Sequence, residues 1–283
     1  MTINNNVILS RSEGSHNIEI LRSLRFLRMT WDKGVNIFSL SKGKGIKNHF
    51  LTSLPANLLT SKAAFTLAEV LITLAIIGVV AAITIPGLIN NYKAQRLHSK
   101  FLKTYSVLQQ VFKQMEADDV SLDPNSYPSW QPFYKTYMKY LTNITNCGRF
   151  NVGDIDIRTA PCYYTRAYKY RDYSGKSTID ESLLDDGQIV LADGTIIFFE
   201  NAGSRIWLSV DLNGLDVPNR WGVDLFTFQF LDGELRTMGS PGTTYTGMNN
   251  YCNINVSHNL NGIACAHKAK SNSDYFKQAV KLK

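Results

Sequence analysis

Lys62-Ala-Ala-Phe65-Thr-Leu-Ala-Glu69-Val-Leu-Ile-Thr-Leu-Ala-Ile-Ile-Gly-Val-Val-Ala-Ala-Ile-Thr-Ile-Pro86-Gly-Leu-Ile-Asn-Asn91 decides how this chain is organised. From Val70 to Ile89 it carries no charged residue over about 20 positions, enough for a helix to cross a bilayer. A helix buried in a soluble core seldom stays apolar all round for that length. One carboxylate, Glu69, stands at the front edge, the fifth residue counted from Phe65. A carboxylate among packed apolar helices needs a counter-charge, or it is neutralised or excluded.

The run Ala64-Phe65-Thr66-Leu67-Ala68-Glu69-Val70-Leu71-Ile72, followed by an apolar helix interrupted at Pro86, resembles the class III signal of type IV pilins and type II secretion pseudopilins. The resemblance implies cleavage by a prepilin peptidase between Ala64 and Phe65, then methylation of the new Phe65 amine. That family usually has Gly before the cut; this chain has the small residue Ala64. The resemblance also gives Glu69 a partner, the Phe65 amine of a neighbouring subunit. A head-to-tail pairing of that kind does not close on itself and builds a helical filament. The implied partners are further copies of the chain, the prepilin peptidase, the inner-membrane assembly platform of the pilus or type II secretion machinery, and the lipid bilayer. The implied fold is α+β and pilin-like: a long N-terminal helix, membrane-spanning in its first half, packed on a C-terminal antiparallel sheet.

Charge divides the chain at the same place. Residues 1–64 hold nine Lys/Arg (Arg11, Arg22, Arg25, Arg28, Lys33, Lys42, Lys44, Lys47, Lys62) against Glu13, Glu19 and Asp32. They therefore carry six of the chain's seven net positive charges. The basic isoelectric point belongs to this leader and does not argue for nucleic-acid binding by the rest. Positive charge ahead of an apolar span holds that end in the cytoplasm, so the C-terminal part is expected to be exported from the inner membrane. A leader of this length is long for the family, and initiation nearer the signal, for example at Met29, would shorten it. The expected organisation is leader 1–64, removed; membrane and filament-core helix 65–91; exported domain 92–283.

The helix is expected from about Phe65 to Ala117, with Pro86 kinking or unwinding it by removing a backbone donor. Gly78, Gly87, Ala81 and Ala82 leave small-residue surfaces for neighbouring helices. Beyond Tyr92 the pattern becomes one-sided: Leu97, Phe101, Tyr105, Leu108, Phe112 and Met115 recur at steps of three and four. Lys93, Arg96, Lys100, Lys103 and Lys113 are expected in water. A short aromatic helix is expected over 131–144, with Phe133, Tyr137, Tyr140 and Leu141 on a core face. Residues 145–186 show no period and read as loop. From Gln188 onward the signal is β. Ile189–Leu191 and Ile196–Phe199 flank Asp193-Gly194, Arg205–Val210 is a third strand, and Asp224–Leu231 turns through Asp232-Gly233 into Glu234–Met238.

Two groups of residues suit chemistry beyond packing. The loop Asp211-Leu-Asn213-Gly-Leu-Asp216-Val-Pro-Asn219-Arg-Trp-Gly-Val-Asp224 offers oxygen ligands of the kind calcium prefers, with Asp211, Asn213, Asp216 and Asn219 as the candidates, and some major pseudopilins bind calcium in a loop near this part of the fold. Its spacing is not an EF-hand, and backbone turn hydrogen bonds from Asp211, Asn213 and Asn219 are the favoured reading. Four cysteines, Cys147, Cys162, Cys252 and Cys265, in an exported domain read as disulfides. Of three connectivities the sequential one is favoured because each pair closes a short loop, the second stapling a C-terminal segment with little core of its own. The rival is a zinc site from Cys252, His258, Cys265 and His267, without the usual Cys knuckle. No phosphate loop, H-E-x-x-H or G-x-S-x-G is present, and nothing recommends catalysis or a cofactor. The expected function is a filament subunit of a type IV pilus-like or secretion pseudopilus system. The alternative is an unprocessed single-pass protein that displays a binding or sensor domain.

Overall fold

The computed structural model describes residues 65–128, 132–149, 160–163, 169–201 and 205–282. The leader, Ala64 included, lies outside them. Helix α1 (Leu67–Ala117) runs for 51 residues, within two residues of both expected ends. It passes Pro86 without a break in helical assignment, so the expected unwinding there is absent. The missing proline N–H removes one hydrogen bond near residue 82, and a single lost bond is tolerated inside so long a run.

The two halves of α1 meet different surroundings. Every large apolar side chain from Val70 to Ile89 is exposed among the described residues. From Ala94 onward a stripe is buried: Ala94, Phe101, Thr104, Leu108, Val111, Phe112 and Met115. Leu97 and Tyr105, also expected on this face, pack at its margin. Lys100 departs from expectation. Its amino group leaves the solvent-facing row and donates to the carbonyls of Leu212 at 2.8 Å and Asp193 at 3.0 Å. Partial burial lowers its pKa, opposed by the nearby Asp193 charge.

That stripe lies on an antiparallel meander of six strands in sequence order. They are β1 (Ile144–Gly148), β2 (Gly187–Leu191), β3 (Ile196–Glu200), β4 (Ile206–Asp211), β5 (Leu225–Leu231) and β6 (Glu234–Thr237). The two Asp-Gly turns differ. Asp232 and Gly233 both take positive φ, as a tight β5–β6 turn requires, whereas between β2 and β3 Gly194 alone does. Strand β1 corrects the loop expected from 145 onward. It is an edge strand with only Ile144 strongly apolar, so it carries no alternation to read.

Ile197, Phe199, Leu208, Val210, Phe226 and Phe228 face the helix. Phe112 stacks on Phe230 with centroids 4.4 Å apart, and Phe101 meets Phe226 edge-on at 5.0 Å. The opposite face is covered as well. Val190, Ile196, Phe198, Trp207 and Leu225 pack against Tyr163, Tyr170, Trp221 and Ile263, all carried on connections without regular period. Burial on both faces explains why β2 to β4 read as continuous apolar runs.

The short aromatic helix is smaller than expected: α2 (Phe133–Tyr137) passes into a single 3₁₀ turn over Met138–Tyr140, and Ile144 already belongs to β1. Phe133 and Tyr137 are fully buried, the core role expected of them, while Tyr140 and Leu141 are half-buried. The chain closes with α3 (Met248–Tyr251), α4 (Cys265–Ser271) and α5 (Tyr275–Ala279). This segment has more core than its sequence suggests. Cys265, Ala266, Ala269, Phe276 and Ala279 are buried, and Phe276 stacks on His98 of α1.

Candidate assembly and anchoring site

At the tip of α1, Thr66 caps the helix from an extended conformation. Its hydroxyl accepts from the Glu69 amide at 3.2 Å, and the Thr66 amide donates to Glu69 Oε2 at 2.9 Å. The Thr66 hydroxyl also donates to the same oxygen at 3.0 Å. This is a reciprocal capping box, which satisfies helix-end donors that have no partner within the helix. The T-x-x-E spacing was present in the sequence and is the signal for it. Glu69 therefore has a role inside its own chain: it bends back over the helix start, where the helix dipole favours a negative charge. The arrangement stays solvent-exposed and both hydrogen bonds to the Glu69 carboxylate go to Oε2, while Phe65 is 84% exposed beside it. A cation arriving from outside meets a carboxylate already oriented and held at the end of an apolar rod.

Behind that tip lies a helix long and apolar enough to cross a membrane, with none of its most apolar window buried inside the described structure. Thr73 and Thr84 return their hydroxyls to the carbonyls of Val70 and Val80, so the polar atoms within this stretch are satisfied internally. The site thus combines a pre-oriented acid, an exposed aromatic N-terminal neighbour and an uncovered apolar surface.

The loop between β4 and β5 closes on its own hydrogen bonds. The Asn213 amide donates to Asp211 Oδ1 at 3.0 Å, and Asn213 Nδ2 donates to the Asp216 carbonyl at 2.7 Å. The Asn219 side-chain nitrogen donates to the carbonyls of Asp216 and Gly214 at 3.0 and 3.3 Å. These bonds occupy the carbonyls of Asp216 and Gly214, while Asn213 Oδ1 is buried with no hydrogen-bond partner among the described residues. Asp216 keeps its side chain in solvent, away from the buried Asp211. Asp224, the last residue of that loop and not one of its four candidates, is fully buried and accepts from the Asn219 and Arg220 amides at 2.9 and 2.6 Å. Burial, reinforced by Asp224, pushes Asp211 well above the usual carboxylate range even though the Tyr170 hydroxyl donates to it. Burial likewise raises Asp224 to about 7.

The cysteines pair sequentially, Cys147 with Cys162 and Cys252 with Cys265. The second bridge removes both thiolates from the zinc alternative. His267 instead shares a 3.0 Å hydrogen bond with Ser240, and His258 one of the same length with the Asn250 carbonyl. Elsewhere Asp185, Asp186 and Glu200 bring carboxylate oxygens together. Arg149 meets Asp186 at 2.5 Å and Arg205 lies 3.5 Å from Glu200, so this group is compensated by guanidinium charge. Burial, with the Asp186 charge behind it, raises Asp185 to about 6.

Residues 59–85 match the prokaryotic N-terminal methylation motif, a span that includes the Ala64–Phe65 bond, Glu69 and most of the exposed apolar helix. No curated protein and no solved structure matches the chain.

Proposed function

We propose, for a chain that carries a class III prepilin-type signal of the type IV pilin and pseudopilin family, the role of structural subunit in a helical filament. Proteins with this motif are structural subunits rather than enzymes, and the signal with one long apolar helix fits a membrane-anchored, single-pass protein. The carrying observation is the rod itself: apolar on all sides, uncovered by any other described part of the chain, and headed by one acid held in place by Thr66.

In this reading the leader stays in the cytoplasm and the prepilin peptidase cuts between Ala64 and Phe65. The Phe65 amine is methylated, and the domain from residue 92 lies outside the inner membrane. The assembly platform then draws the subunit out of the bilayer. Glu69 keeps its place at the helix start and turns its free oxygen to the Phe65 amine of the next subunit, which sets the axial step. Contacts between apolar helices replace contacts with lipid, with Gly78 and Gly87 admitting close approach; a Cβ at either meets nothing within 4 Å among the described residues. The filament is of the type IV pilus-like or secretion pseudopilus kind. For Asp211, Asn213, Asp216 and Asn219 we favour the turn role over calcium, because the amides occupy the carbonyls of the loop; chelation should then leave thermal stability unchanged.

The experiment is N-terminal sequencing with intact-mass measurement on protein recovered from membranes. The expected result is a chain that begins at methylated Phe65 and lacks the 64 residues before it. An intact leader would overturn the reading and favour a single-pass display protein that never polymerises.

A further inference from the structure

A cleft of about 470 Å³ opens at the foot of the globular domain, where α1 leaves its apolar stretch. Lys93 and Arg96 stand on its rim; Leu97, Val217, Val280 and Leu282 form apolar walls. We propose that this cleft binds the headgroup of an anionic phospholipid from the bilayer that α1 crosses. The inference rests on the membrane-anchored reading above and adds a lipid class and a site to it.

Position is the first argument. At about 1.5 Å rise per residue, Lys93 and Arg96 lie roughly 6 and 10 Å beyond Ile89, the last residue of the uncharged span. The polar layer on each side of the hydrocarbon is about 5–7 Å deep, so Lys93 lies within it and Arg96 just beyond, where a long side chain leaning toward the helix N-terminus reaches back to headgroup phosphates. Tyr92, 65% exposed, sits between span and cations, where aromatic side chains mark the interface.

Charge is the second. Lys93 and Arg96 are exposed, three residues apart on one helix face, and neither forms a salt bridge among the described residues. Lys100 stands behind them, its amino group held by backbone carbonyls and its charge partly offset by Asp193. Asp216 is the single acid in the lining, facing three cations. The third argument is the apolar wall. Val217 is 84% exposed at the loop tip, an apolar side chain left without cover by the described residues. A phosphate on the rim with its glycerol and upper acyl chain along Leu97 and Val217 matches both halves of the cleft.

The test uses full-length protein extracted from membranes in mild detergent, with lipid binding followed by native mass spectrometry. Phosphatidylglycerol and phosphatidylcholine are titrated separately, and inorganic phosphate serves as competitor. The expected result is at least a tenfold preference for phosphatidylglycerol, reduced about tenfold by Lys93→Gln with Arg96→Gln at an unchanged melting temperature. Lys93→Gln alone should lose about threefold and Val217→Asp should also weaken binding. Equal affinity for the two lipids, an unaffected double variant, or displacement by millimolar phosphate as a free-anion site would each overturn the proposal. Wild-type chain recovered only from the soluble fraction overturns the anchoring reading and this proposal together. Membrane-recovered chain without the preference overturns this proposal alone.

Discussion

Residues 67–92 and 93–117 share one helix and are finished in opposite ways. The second stretch is one-sided: Phe101, Leu108, Phe112 and Met115 are sealed by the sheet, and its lysines turn outward or, in the case of Lys100, onto loop carbonyls. The first is apolar around its whole circumference, and no described part of the chain covers it. An amphipathic stripe asks for one covering surface and finds it within the same domain. A helix without a polar side can only be finished by lipid or by other helices. The contrast separates what the chain supplies alone from what it needs a membrane, or further copies, to supply.

The largest expected effect belongs to the unfinished half. Glu69→Ala should reduce recoverable polymer by more than tenfold, measured by pelleting sheared fibres, while membrane insertion and domain stability stay as in the wild type. If polymer yield is unchanged, the acid has no part in assembly and the capping box is its whole role. In the finished half the effect should fall on folding instead. Phe101 is fully buried and meets Phe226, Phe228 and Phe276, so Phe101→Ala should destabilise the domain by about 3–5 kcal/mol in urea unfolding. Insertion of the first half should not change. A small loss would mean that the stripe is not the joint between helix and sheet.

The smallest effect is a pH dependence confined to the domain. Asp224, near 7, and Asp185, near 6, lie above their unfolded values, so between about pH 4 and 7 the folded chain holds more protons than the unfolded one. Stability should therefore fall as pH rises through that window. Asp172 runs the other way: burial, which raises it, is outweighed by hydrogen bonds from Ser174, Ser177 and Lys176, and its contribution is lost as pH falls below about 4. Melting temperature is thus expected to peak at about pH 4–5. Asp224→Asn should flatten the decline toward neutral pH. A rise from pH 5 to 7 in the wild type would contradict the buried-acid account.

How much of this was legible follows from where the physical signal was written. The Phe101–Phe112 stripe and the Asp-Gly turns carry local periodicity and turn chemistry, so α1 and strands β2 to β6 could be placed within a residue or two. Strand β1 could not: Thr-Asn-Cys-Gly has no alternation, and its pairing with β2 is fixed from outside, partly by the Cys147–Cys162 bridge. Tyr163 and Tyr170 form a core on irregular connections, where burial leaves no sequence period. Asp224 looked like the start of a strand; only the fold brings it beside Asp211. The helical wheel places Lys100 in solvent because it does not contain the carbonyls of residues 193 and 212. At the helix tip the motif marks Glu69, and the Thr66-x-x-Glu69 spacing carries its bond to Thr66.

The central claim is that the exposed half of α1 is an interface completed by further copies of the chain. The most direct measurement is electron microscopy with sedimentation on processed, membrane-purified protein as detergent is withdrawn. The account predicts helical fibres with the 67–92 segments packed at their centre and Glu69 beside the next subunit's N-terminus. Stable monomers free of detergent and lipid would contradict it.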